Sequence, residues 1–300
     1  MLKIAYHPIY KYTLPEGHRF PMAKYELLPK FLLKHGICTE TNFFEPKKVS
    51  AEVIKQVHTE AYYNRLINLE IDKKEIRKMG FPLRPELVER GHYIIDGTIT
   101  GCEFALQHGV AMNIAGGTHH AYADHGEAFC LLNDQAVAAQ YLLDRDLAKQ
   151  ILMVDLDVHQ GNGTAKIFEA EPRVFTFSLH GAKNYPFKKE KSDLDIGLED
   201  GTEDDEYLSV LKNTLPMLLK KVQPDFIFYL SGVDIIQGDK LGRLACTIEG
   251  CQERDRFVLQ TCKEAGIPVQ ISMGGGYSPN IDNIITAHAN TFRTVQNLYF

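Results

Sequence analysis

The stretch "QILMVDLDVHQGNG", residues 150–163, sets the reading of the whole chain. An apolar run, Ile151 to Val154, passes directly into Asp155, Asp157 and His159 and then into a glycine turn. Such a run, bounded by a turn, reads as a strand buried on both faces, the kind found in parallel sheets covered by helices. On an extended segment, residues 155, 157 and 159 point to one side. Asp157 and His159 could ligate one metal, and Asp234 at another strand end could supply a third ligand. Two carboxylates and an imidazole suit a divalent ion such as Zn2+ with a position left open for water. The competing reading, a solvated strand end, sits badly with the apolar run before it. The glycines at 161 and 163 also allow close backbone approach.

The rest of the chain alternates in the same way. Strands are predicted at 2–6, 110–115, 150–157, 173–180, 225–232 and 267–276. Helical periodicity occupies 21–36, 50–70 (one or two helices), 85–109, 133–145, 161–170, 204–221 and 247–265. No repeat, low-complexity tract or linker divides the chain. The expectation is one α/β domain over residues 1–300, built on a single open, mostly parallel sheet with helices on both faces.

Composition narrows the function classes. A net charge of −6 without long single-sign runs argues against a nucleic-acid-binding face. No apolar run approaches the ~20 residues a membrane span needs. "MLKIAYHPIYKY" lacks the features of a secretory signal and reads as a first strand and loop, so a cytoplasmic protein is expected. Cysteines at 38, 102, 130, 246, 251 and 262 form no CxxC pair and read as reduced, buried thiols.

Ligands of open α/β sheets bind beyond the carboxyl ends of the strands. Five predicted strand ends deliver polar or flexible groups to that edge: Gly116-Gly117-Thr118-His119-His120, the 155–163 stretch, Ser178-Leu179-His180, Asp234, and Gly274-Gly275-Gly276-Tyr277. Packing alone does not explain so many polar groups on one edge, because each carries a desolvation cost.

These segments carry a resemblance. "GGTHHA" (116–121), "AFCLLND" (128–134), "DLDVHQGNG" (155–163), "FSLHG" (177–181), "SGVDIIQGD" (231–239) and "GGGYSP" (274–279), in this order, are similar to the zinc-dependent histone deacetylases of the arginase–deacetylase superfamily. "GTEDDEYL" (201–208) and "GDKLGRL" (238–244) resemble the class IV branch, and "RFPMAKY" (19–25) resembles bacterial members. The resemblance implies one Zn2+ per chain on Asp157, His159 and Asp234. It implies His120 as general base and then acid, with Asn162 beside it, and His119 assisting under the orientation of Asp155. Tyr277 would donate to the oxyanion. Phe129 and Tyr185 would wall a substrate tunnel, with Gly275 and Leu241 as further substrate contacts. A structural K+ would be held by Asp155, Asp157, His159, Ser178 and Leu179, partly through backbone carbonyls. The implied substrate is an acylated lysine or a related acyl-amine, and the class IV likeness favours long acyl chains.

Three positions depart from the family pattern. Asn162 stands where class I members have an aspartate, as it does in classes II and IV. Ala128 replaces the glycine before Phe129, where a methyl would narrow the tunnel. Met273 replaces a frequent glycine and would alter how Tyr277 swings. Three other readings stand beside the lysine deacylase. They are an acetylpolyamine or small acyl-amine amidohydrolase, a non-catalytic module binding acylated ligands, and an arginase-like enzyme with two metals. The last wants more carboxylate ligands than this pattern offers. "EIDKKEIRKMG" (70–80), basic on balance, does not favour a polycationic substrate.

Overall fold

Strands whose residues are all apolar need cover on both faces, and a computed structural model of residues 1–300 provides it. The sheet has eight strands, all parallel, with the order β2-β1-β3-β8-β7-β4-β5-β6. These are β1 (Lys3–Ala5), β2 (Phe43–Phe44), β3 (Val110–Asn113), β4 (Ile151–Asp155), β5 (Val174–Gly181), β6 (Leu194–Leu198), β7 (Phe226–Leu230) and β8 (Val269–Ser272). Every residue of β3, β4, β7 and β8 is buried. The helices are α1 (Lys24–Lys34), α2 (Ala51–Ile54), α3 (Glu60–Ile67), α4 (Lys73–Met79), α5 (Pro85–His108), α6 (Asp134–Asp144), α7 (Asn162–Ile167), α8 (Asp204–Val222), α9 (Ile248–Ala265) and α10 (Ile281–Tyr299). Helix α5 packs on β1, β3 and β8 and against α6, while α1, α10, α9 and α8 pack in series. No helix is long and apolar enough to cross a membrane. All six cysteines are free and buried.

The sequence reading places no element at β2, β6, α4 or α10. β2 is two residues long, and β6 is a five-residue edge strand, Leu-Asp-Ile-Gly-Leu, of alternating burial rather than a continuous apolar run. α10 was legible: Asn280 caps it, accepting from the Asp282 N–H, and Ile284, Ile285, Phe292 and Val295 fall at helical spacing.

The extended reading of residues 155–159 needs correction. β4 ends at Asp155 and the chain bends from 157 to 159. The Asp155 carboxylate accepts the Asp157 N–H at 3.1 Å, and the Asp157 carboxylate accepts the His159 N–H at 3.0 Å. Short acidic side chains capture backbone donors two residues on and so replace the sheet ladder with turns.

A buried charge holds the strand ends in place. Arg254 of α9, with no exposed surface, donates to the Leu156 carbonyl at 3.2 Å and the Gly232 carbonyl at 2.6 Å, the chain just past β4 and β7. Its partner Asp255, equally buried, also accepts from Tyr229 of β7 and Thr291 of α10. Removing one member of a buried pair leaves an uncompensated charge. Asp255→Ala is therefore expected to lose about 3–5 kcal/mol of stability, read as a lowered urea midpoint. A loss below ~1 kcal/mol, the range of exposed pairs, would show that Arg254 is not held by this carboxylate.

Candidate metal and hydrolytic centre

The carboxyl ends of β3, β4, β7 and β8 meet around Asp157, His159 and Asp234, all buried, with ligating atoms within 4.8 Å of one another. His159 Nδ1 stands 3.0 Å from Asp157 Oδ1 and 3.2 Å from Asp234 Oδ2. Ligands at ~2.0–2.2 Å from a tetrahedral ion stand roughly 3.3–3.6 Å apart, so the two carboxylates sit slightly closer to the imidazole than a shared ion would hold them. Backbone N–H groups orient both carboxylates: Gly275 donates to Asp157 Oδ2 at 2.8 Å, and Val158 donates to Asp234 Oδ1 at 3.0 Å. Asp234 Oδ2 is buried and makes no hydrogen bond. A Cβ at Gly275 would lie 2.0 Å from that oxygen, and one at Gly232 would lie 2.2 Å from Asp157 Oδ2. Glycine at both positions is what lets the backbone close around the cluster. An orphaned carboxylate oxygen in a glycine cradle fits a cation.

Two histidines flank the cluster. His119 donates from Nδ1 to Asp155 at 2.7 Å, and His120 donates from Nδ1 to the Asn162 side-chain carbonyl at 2.6 Å. Burial opposes charge on His119, but Asp155 outweighs it and the imidazole pKa is raised. Burial, His119 and His159 together hold His120 well below the ordinary histidine value. The pair is thus split into one ring that favours the proton and one that is neutral. Tyr277 stands opposite, its ring centroid 6.2 Å from that of His159 and 5.9 Å from that of Phe129. Its backbone N–H is held by Asp239 at 2.6 Å.

A funnel of about 510 Å3 leads from the surface to His120, His159 and Tyr277, between walls that include Phe129, Tyr185 and Leu241. The Tyr185 ring lies 5.3 Å from that of His120. Behind the histidines is an inner cavity of about 30 Å3, lined by residues including Phe20, Tyr25, Ile94, Phe129 and Gly275. Ser178 lies beside Asp155 in the β4–β5 register and meets His180 Nδ1 at 2.9 Å, with Leu179 buried next to it.

The turn that carries Phe129 explains one departure. Ala128 has φ 45° and Phe129 φ 68°, a left-handed conformation that glycine adopts without the cost an L side chain incurs. The Ala128 N–H bonds the Lys78 carbonyl at 3.0 Å and the Phe129 N–H bonds the Met79 carbonyl at 2.7 Å, so the end of α4 holds the turn. Met273 is buried in the hydrophobic core.

Four site residues escaped the sequence reading. Lys24, fully buried, donates to the Gly274 carbonyl at 2.9 Å, and burial lowers its pKa to about 8. Phe20 packs on Phe81, Phe129 and Tyr277. Asp239 anchors the Tyr277 backbone, and Glu127 reaches Asn162. Asp239 ends a motif quoted above and Glu127 adjoins another, but their partners lie 38 and 35 residues away.

Comparison with known proteins agrees with this geometry. The histone deacetylase domain model matches residues 18–292. An uncharacterised protein of Picosynechococcus sp. is 44% identical over 296 residues, which cover 99% of each chain. Histone deacetylase 2 of Arabidopsis thaliana is 29% identical over 277 residues, covering 89% of this chain and 72% of its own. The crystal structure of a histone deacetylase homologue complexed with SAHA superposes with a TM-score of 0.84 at 26% identity, over 98% of this chain and 83% of that one.

The cluster's protonation predicts how it takes up an ion. Burial and Asp157 push the Asp234 carboxyl up to about 7. Burial disfavours charge on His159, but Asp157 and Asp234 outweigh it and raise the imidazole to about 10. A cation must displace the His159 proton across neutral pH and, below about 7, the Asp234 proton as well. Zn2+ affinity should therefore drop as the pH drops, ~10-fold per unit at pH values above about 7 and more steeply below it, as each displaced proton adds one power of proton concentration. Competition titration with a chelator between pH 6 and 8 reads the slope, and a pH-independent affinity would contradict the assignment.

Proposed function

The chain belongs to the histone deacetylase domain family, and from that premise we propose that it is a metal-dependent amidohydrolase removing acyl groups from lysine side chains or related amines. The observation that carries this reading is the meeting of the Asp157–His159–Asp234 cluster, His120 and Tyr277 at the floor of one funnel. We take residues 1–300 as one deacetylase domain. Zn2+, one per chain on those three ligands, would supply Lewis acidity toward the amide carbonyl and a water of lowered pKa. A structural K+ beside Asp155, Asp157, His159, Ser178 and Leu179 belongs to the same proposal.

The chain's own groups do the rest. With Nδ1–H spent on Asn162, His120 presents the lone pair of Nε2, the arrangement a general base needs, and returns the proton to the departing amine. His119, whose imidazole Asp155 biases toward the protonated form, would assist by placing positive charge beside the reacting atoms. The Tyr277 hydroxyl makes no hydrogen bond within the protein and is free to donate to the oxyanion forming on the acyl carbon. Phe129 and Tyr185 exclude water along the acyl-lysine stem, Leu241 contacts it nearer the mouth, and Gly275 lets the substrate approach the cluster.

Two features bear on substrate choice. Of the cations on the funnel wall, Lys78 pairs with Glu127, Lys183 with Glu199 and Arg243 with Asp200, while Arg19 and Lys240 have no carboxylate partner. Those two unpaired cations disfavour an acetylpolyamine. The inner cavity, about 30 Å3, has room for about a water or two, which favours acetyl over the long chains that a class IV affinity suggests.

A panel on one lysine peptide, from acetyl to myristoyl, alongside acetylated polyamines, tests this reading. The acetyl peptide should turn over fastest. Tyr277→Phe should lower its kcat on the order of 10²–10³-fold with KM little changed, as for loss of one oxyanion donor. Metal-loaded protein that hydrolyses no acyl-amine would be a binding module instead. Faster turnover of polyamines would assign the smaller substrate class.

A further inference from the structure

In this chain His120 rests on an amide, Asn162, which carries no charge and whose two ends are easily exchanged. The structure places a carboxylate one step further out. Asn162 Nδ2 donates to Glu127 Oε1 at 3.3 Å and to the Tyr122 hydroxyl oxygen at 3.0 Å. Tyr122 in turn donates to Glu190 at 3.2 Å, so toward Asn162 it can only accept. Glu127 is buried, and its side chain is 5% exposed. It accepts from the Tyr185 hydroxyl, and its other oxygen is ion-paired with Lys78, which is half-exposed at the end of α4. Burial would raise its pKa, but the neighbouring His125 ring, at 3.6 Å, and the paired Lys78 outweigh this and lower it, which favours the ionised form.

Building on the reading of His120 as the base, we propose that Glu127 is a positioning residue that fixes the Asn162 amide and, through it, the tautomer of His120. The logic is one of donors and acceptors. An ionised carboxylate only accepts, so the Asn162 NH2 must face it. The Asn162 carbonyl must then face His120, which forces the proton onto Nδ1 and leaves Nε2 as the base. Glu127 also supplies, across the amide, the negative charge that stabilises His120 once it is protonated. Tyr185 and Lys78, both on the funnel wall, bind the same carboxylate. The substrate channel and the base therefore share one anchor.

Four metal-loaded proteins test the proposal: the parent, Glu127→Gln, Asn162→Asp, and the double variant. Glutamine keeps the shape of Glu127 but can offer its NH2 to Asn162, allowing the amide to turn over. With 15N-labelled histidine, NMR should show His120 as the Nδ1–H tautomer in the parent and a mixture of tautomers in Glu127→Gln. On the acetyl-lysine peptide, kcat of Glu127→Gln should fall about 10-fold, part of the ~10²–10⁴ that a positioned acid–base group contributes, with KM little changed. Asn162→Asp alone sets two carboxylates against each other and should be more impaired than the double variant, in which glutamine donates to the new aspartate and kcat recovers. An unchanged tautomer and kcat in Glu127→Gln would overturn the proposal, as would a loss of kcat that the double variant does not recover. If the parent hydrolyses nothing, the functional reading fails, and the tautomer measurement still decides the role of Glu127.

Discussion

Two carboxylates and one imidazole are buried against each other where four parallel strands end, and the surrounding structure is arranged around that constraint. Above about pH 7, where both carboxylates are ionised beside one imidazolium, the cluster without a cation holds more negative than positive charge in a medium that solvates neither well. Much of the nearby architecture answers this. Gly232 and Gly275 bring backbone close, the Val158 and Gly275 N–H groups fix one oxygen of each carboxylate, and Arg254 ties down the carbonyls just past β4 and β7. Lys24 adds a buried positive charge on the glycine loop behind. These groups orient the cluster's side chains, but they leave Asp234 Oδ2 without a hydrogen bond.

The core of the fold was legible because its strands are buried on both faces and their apolar runs admit few other readings. The buried cluster of Asp157, His159 and Asp234 was legible for a related reason: polar residues directly after such runs have no packing role. What the sequence hid was what sets their geometry. The turns after Asp155 depend on side-chain oxygens capturing backbone donors, which the two-residue period of an extended chain conceals. The roles of Glu127, Asp239 and Lys24 depend on partners 35 to 250 residues away. α10 is a different case, since its cap and apolar spacing were present in the sequence.

α4 links the outer funnel to the Asn162–His120 pair. Residues 70–80 read from sequence only as basic on balance. Folded, the last carbonyls of α4 hold the left-handed turn at Ala128 and Phe129, and Lys78 pairs with Glu127. A methyl at residue 128 thus matters for backbone strain as well as for tunnel width. The same turn sets the aromatic wall on one side and the Asn162–His120 contact on the other.

Stoichiometric reconstitution tests the central claim most directly. Protein freed of metal by a chelator and titrated with Zn2+ should regain hydrolysis of an acetyl-lysine peptide in proportion to added ion, breaking to a plateau at one equivalent per chain. A break at two equivalents would point to a two-metal centre, and no recovery at any ratio would contradict the account of Asp157, His159 and Asp234 as the centre of a hydrolase.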